Sequence, residues 1–113
     1  MKRTLLISLL ILFEVSLYAQ ETLDEVLEKY HHEKVPYISA IELQNLKQNN
    51  KVVVLDSRGL IEFKVSHIKG AILVGYDDFK LSSLPDNLDK NTPLVVYCTL
   101  GVRSGVIANE LIE

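Results

Sequence analysis

The chain has 113 residues, one cysteine and no tryptophan, with 12 Lys and Arg against 15 Asp and Glu for a net charge of −3. That length sets one domain with a thin core, and the negative balance gives no reason to expect nucleic acid or an anionic membrane surface as a partner. A single cysteine excludes an internal disulfide, which leaves intermolecular pairing, a working thiol or a small buried hydrophobe.

The chain opens on Lys2-Arg3, then an apolar stretch from Leu5 to Phe13 broken only by Ser8, then Leu17-Tyr18-Ala19 before Gln20. A positive start, an apolar middle and a small residue at the end form the plan of a secretory signal peptide, so export to the periplasm or beyond, with cleavage near Ala19, is expected. Glu14 and the bulky Leu17 depart from that plan. An uncleaved anchor fits less well: Leu5 to Tyr18 is 14 residues and carries a charge, whereas a spanning helix needs ~20 apolar residues. No cysteine follows Ala19 as the next residue, which excludes a bacterial lipoprotein anchor.

Thr22 and Glu25 have capping-box spacing, and Leu23, Val26, Leu27 and Tyr30 recur at helical intervals, predicting a short helix from Thr22 to about Glu33. His31 and His32 at its end point about 100° apart on a helix, which suits a solvated helix terminus better than a metal site. Val35-Pro36-Tyr37-Ile38 is an extended piece, an edge strand or a lead-in. Ser39 and Glu42 repeat the capping box, and Ile41, Leu43 and Leu46 stripe a second helix that ends at Asn49-Asn50. Val52-Val53-Val54-Leu55 is a mostly β-branched run, a strand buried on both faces as in a parallel sheet. Asp56-Ser57-Arg58-Gly59 lies at its C-terminal end, where open parallel sheets bind ligands. Leu60 to Val65 makes a turn or two of helix. Ala71 to Val74 is the next apolar run, Tyr76 to Phe79 a further helical turn, and Ser82 to Pro93 connecting structure.

Leu94 to Tyr97 then predicts a buried strand that ends on Cys98, with Arg103 five residues beyond the cysteine and a helix from Ser104 to Glu113. Strands alternating with helices give an α/β fold with a mostly parallel sheet. The strand–loop–helix step aims backbone N–H groups at the sulfur. A helix N-terminus beside Arg103 lowers a thiol's pKa, Gly101 lets the loop turn tightly, and the Arg103 fork fits an oxyanion. Asp56 and Arg58 suit hydrogen bonds and ion pairing that tie down the loop, and His67 suits a turn; none of the three is assigned a catalytic role.

Cys98-Thr99-Leu100-Gly101-Val102-Arg103-Ser104 resembles the active-site loop of single-domain rhodaneses, Cys-x-x-Gly-x-Arg-Ser/Thr. Val53 to Arg58 with Glu62-Phe63, and Ser66-His67-Ile68-Lys69-Gly70-Ala71, resemble two further signatures of that family, with Ser66 and Lys69 as departures at turn positions. The resemblance implies a rhodanese-like sheet flanked by helices and sulfur transfer without metal or organic cofactor. Cys98 would be the catalytic nucleophile that becomes a persulfide. Thr99, Leu100, Gly101, Val102 and Ser104 would cradle the substrate, and Arg103 would hold an anionic donor such as thiosulfate, with cyanide or a thiol as acceptor. Tyrosine phosphatases place five residues between Cys and Arg; the four found here make a cradle suited to one sulfur.

The domain reading is therefore a leader over 1–19, an N-terminal helical extension over 20–37, and a rhodanese-like domain over 38–113. Family members continue with one more strand, a Gly-Gly turn, commonly a Trp, and a last helix. With none of these signals, the expectation is a C-terminally incomplete domain. Its last strand and helix are missing, one strand flank is unpaired, and self-association can cover the gap. It would then be either an active sulfurtransferase or an impaired sulfur-binding or interaction module.

Overall fold

The computed structural model describes residues 21–50 and 52–113; the expected leader lies outside them. Thr22 and Ser39 each accept from the backbone N–H three residues on while Glu25 and Glu42 reach back to the cap backbone. Both capping boxes are formed, and they start α1 (Leu23–Lys29) and α2 (Ala40–Gln48). α1 ends four residues before the expected Glu33, with Tyr30 as its C-cap. His31 and His32 therefore lie past the helix and not on its last turn. His31 stacks on Tyr37, 4.8 Å between ring centroids, and the His32 ring lies against Gly105 so closely that a Cβ there would come within 2.8 Å of it.

β1 (Val53–Asp56) is the centre of a three-stranded parallel sheet of order β2-β1-β3. β2 is Ile72–Leu73, paired Leu55↔Ile72 and Asp56↔Leu73. β3 is Leu94–Tyr97, paired from Val53↔Leu94 through Asp56↔Tyr97. α3 (Leu60–Val65) connects β1 to β2, a 3-10 turn at Leu81–Ser83 lies on the way to β3, and α4 (Val102–Ile112) follows β3 and packs on it. The expected helical turn at Tyr76–Phe79 is only a hydrogen-bonded turn, Phe79 N–H to Tyr76 O. α4 starts at Val102, two residues earlier than expected. The described residues are thus α/β, with four helices on a small open parallel sheet.

Burial follows the sheet order. Val54, Leu55 and Asp56 of β1 are buried, as two-sided coverage of a central parallel strand requires. Leu55 and Ile107 of α4 are the most deeply buried apolar side chains. β3 corrects the sequence expectation: all four of its residues are half-buried, not buried. Among the described residues it pairs with β1 alone, and its residues line a groove of about 610 Å³ together with the extended Val35–Ser39 segment, Leu43 and Leu46 of α2, and Ala108 and Leu111 of α4. Four apolar residues in a row report hydrophobicity, but burial needs a neighbour on each side. Val35–Ile38 is extended yet pairs with no strand among the described residues, so the edge-strand expectation resolves as a lead-in to α2. Among the described residues no helix is long and apolar enough to cross a membrane.

Candidate active site

β3 delivers Cys98 to the C-terminal end of the sheet. The residue before it is held from two sides: Ser57 donates to the Tyr97 carbonyl from its backbone N–H and from Oγ, each at 3.0 Å. Ser57 is fully buried, so the strand end carries little slack. The chain then turns through Gly101, which sits in the left-handed region at φ 87° and caps α4. An alanine there would take on left-handed strain of about 1–2 kcal/mol, although its Cβ would meet nothing within 4 Å.

This turn folds the loop back on its own sulfur. Gly101 N–H donates to Cys98 Sγ at 3.1 Å. Burial pushes the Cys98 pKa up, but the polar groups of Ser104, Gly101 and Leu100 around the sulfur outweigh it, and the net shift is downward. Ser104 is 7 % exposed and lies in the first turn of α4. One backbone donor, the Gly101 N–H, thus meets the sulfur as a strand–loop–helix step predicts, and Ser104 adds to the effect on its pKa. Ser104→Ala is expected to raise the Cys98 pKa, because a donor that favours the thiolate is lost. The pH profile of alkylation by iodoacetamide should shift its inflection upward, and an unmoved inflection contradicts this role.

Arg103 lies on the polar side of the loop with Thr99. Its fork is engaged by the Glu62 carboxylate, Nη1 to Oε2 at 2.8 Å and Nη2 to Oε1 at 2.9 Å. Glu62 is the third residue of α3, and its Oε2 also accepts the Gly59 N–H at 3.0 Å, capping that helix. Arg103 first, then the Gly59 N–H, holds the Glu62 pKa down to about 2. Glu62 raises the Arg103 pKa, and the Cys98 sulfur adds to this. The cation thus stands beside the sulfur but is aimed by a carboxylate. Thr99 belongs to the same cluster: its hydroxyl lies 3.5 Å from Glu62 Oε1 and 3.4 Å from Arg103 Nη2. Of the predicted site residues, Gly101 bonds the Cys98 sulfur, and Leu100 and Ser104 help to lower its pKa. Thr99 and Arg103 form its polar flank, and Val102 faces a small pocket on the other side.

Beneath the loop lies a second network. Asp56, fully buried, accepts from the Arg58 backbone N–H at 2.9 Å, from Arg58 Nε at 3.0 Å and Nη2 at 2.8 Å, and from the Tyr97 hydroxyl. Arg58 Nη2 also donates to Ser66 O at 2.7 Å, and Ile68 N–H donates to the Tyr97 hydroxyl at 3.1 Å. Burial pushes the Asp56 pKa up, and the bonds from Arg58 and Tyr97 bring it below the usual carboxylate value. Asp56 and Arg58 tie the end of β1 to the loop before β2, as their residue types suggest. His67 Nδ1 lies 2.8 Å from Phe63 O, and its ring stacks on Phe63. Sequence reasoning missed Glu62 as the anchor of Arg103, Ser57 as the brace of Tyr97, and Tyr97 as a polar member of the network. The one local signal was the position of Glu62, three residues after Gly59 at a helix start. Among the described residues no three His, Cys, Asp or Glu side chains gather as a metal site.

A family model described as Rhodanese-like domain matches residues 39–113. Among curated proteins, the tRNA uridine(34) hydroxylase of Chlamydia trachomatis serovar D is 32 % identical over 85 residues, covering 68 % of this chain and 25 % of that protein. The tRNA uridine(34) hydroxylase of Staphylococcus aureus strain Newman is 32 % identical over 88 residues, covering 73 % of this chain and 27 % of its own. That of Buchnera aphidicola is 35 % identical over 71 residues, covering 59 % and 23 %. The chain thus spans about a quarter of the length of these relatives. No solved structure matches it.

Proposed function

The chain belongs to the rhodanese-like domain family, and on that premise we propose that it is a sulfurtransferase working through a Cys98 persulfide. The observation that supports this most directly is the Gly101 N–H donated at 3.1 Å to one half-buried sulfur at the end of β3, where the chain turns into α4. The Cys98 thiolate attacks the outer sulfur of a thiosulfate-like donor. A new S–S bond forms, the donor's own S–S bond breaks, and sulfite leaves with the electron pair. A thiolate or cyanide then attacks the outer sulfur of the persulfide, and Cys98 departs as the thiolate. The N–H donors favour the anion at each stage. Arg103, steered by Glu62, supplies the positive charge that an anionic donor meets on approach. Incubation with thiosulfate should add one sulfur atom to the protein by mass, and cyanide should then release thiocyanate. A folded sample that gains no sulfur would overturn the reading.

A second reading is a sulfur-binding or interaction module without turnover. It is favoured by the uncharged groove along β3, whose residues stay half-buried. An open strand edge is a template for pairing with another chain, and we propose that two copies associate there. Sedimentation should show a mass that rises with concentration, and Val96→Lys on β3 should return it to the monomer. A monomer at all concentrations argues against this association. Export belongs to the proposal as well: mature protein recovered from the producing cells should begin at Gln20, and an intact Met1 terminus contradicts it.

A further inference from the structure

Residues 21–38 lie outside the rhodanese-like match, yet they build one wall of a pocket at the cysteine loop. Leu27, Tyr30, His31 and Tyr37 face Leu100, Gly101 and Val102 across a space of about 260 Å³. The wall is held in place. His31 stacks on Tyr37, Val35 is buried, and His32 and Tyr37 pack on α4 where Gly105 has no Cβ to obstruct them. Gly101 belongs both to this pocket and to the sulfur's donors, so the pocket adjoins the candidate active site across Gly101, while Cys98 itself lines the larger groove along β3.

The loop therefore has two unlike flanks. One side carries Arg103, Glu62 and Thr99. The other is two tyrosine rings, an imidazole and aliphatic groups, with no carboxylate, lysine or arginine among its lining. A pocket of that size and character takes a single ring or a short branched chain, not an anion. Leu100, 53 % exposed, stands between the flanks.

We propose that this pocket is the acceptor subsite, and that the acceptor is a small thiol with an aromatic or apolar body. The proposal rests on the sulfurtransferase reading above. The acceptor's ring sits between Tyr30, Leu27 and Leu100, and its thiolate, having given its proton to solvent, attacks the outer sulfur of the Cys98 persulfide. The persulfide S–S bond breaks, Cys98 leaves as the thiolate, and the product is the acceptor's own persulfide. The anionic donor uses the opposite flank, so donor and acceptor meet the same sulfur from different chemical surroundings.

The test compares phenylmethanethiol with 2-mercaptoethanol as acceptors, with thiosulfate as donor and cyanide as reference. The wild-type chain should prefer the aromatic thiol by about tenfold in kcat/KM, the scale of one apolar group in a pocket. Tyr30→Ala, which removes a wall, and Leu27→Trp, which fills the space, should each bring the ratio of the two thiols toward one. Cyanide turnover with a thiol ratio near one in the wild type, or a preference that survives both substitutions, overturns this proposal alone. Absence of turnover with every acceptor removes the sulfurtransferase reading and this subsite with it.

Discussion

Cys98→Ser should take up no sulfur from thiosulfate and should form no thiocyanate, a loss of at least about 10³-fold, the scale on which a covalent nucleophile is missed. The serine hydroxyl fits the same loop, so the fold should be retained and the Gly101 donor and the neighbouring Leu100 and Ser104 groups left in place. What is lost is the acid–base character of the group. Those neighbours hold the Cys98 pKa below its ordinary value against the effect of burial, whereas a hydroxyl stays protonated in the same surroundings and cannot carry a sulfane sulfur. Circular dichroism and an unchanged melting curve separate lost chemistry from lost structure. Residual thiocyanate formation at the wild-type rate would show that the sulfur passes elsewhere.

Asp56→Ala should be the most damaging substitution for stability among the polar residues. Among the described residues Asp56 alone accepts from the Arg58 Nε and from the Tyr97 hydroxyl, and it is fully buried in the centre of the sheet. Truncating it leaves the largely shielded Arg58 guanidinium, 16 % exposed, without its counter-charge. Removing one partner of such a pair is costly even where the pair itself adds little. We expect a loss of about 3 kcal/mol in urea unfolding, which in a domain of this size lowers Tm by roughly 15 °C. A change under about 1 kcal/mol would mean that water replaces the carboxylate without strain. The pH dependence has the same root. The folded Asp56 pKa is lowered, so its stabilisation is fully present above the unfolded value of about 3.9 and is lost as pH falls through the lower folded value. Asp56→Asn should remove that acid-side slope while retaining part of the hydrogen bonding.

The two effects are linked through Tyr97. Its hydroxyl belongs to the Asp56 network, its carbonyl is braced by Ser57, and the next residue is the nucleophile. A loosened network should therefore also slow persulfide formation, by displacing the strand end that delivers Cys98.

The amino-acid sequence by itself determined the local structure and the make-up of the cysteine loop. Thr22–Glu25 and Ser39–Glu42 specify helix starts because a capping box closes over three residues. The Val53–Leu55 run specifies a central strand because only two-sided burial suits it. Cys98 and Gly101 are three residues apart, so the Gly101 N–H bond to the sulfur follows from a tight loop entering a helix. Tertiary structure decided everything that acts across longer separations. Glu62 captures Arg103 from 41 residues away, Ser57 braces Tyr97 from 40, and the α1 segment closes a pocket against Leu100–Val102. β3 is half-buried because the sheet gives it one neighbour. None of these has a periodicity or a spacing to announce it. Each depends on which surfaces the parallel crossovers bring together, and that is set only when β1, β3 and α4 pack on one core.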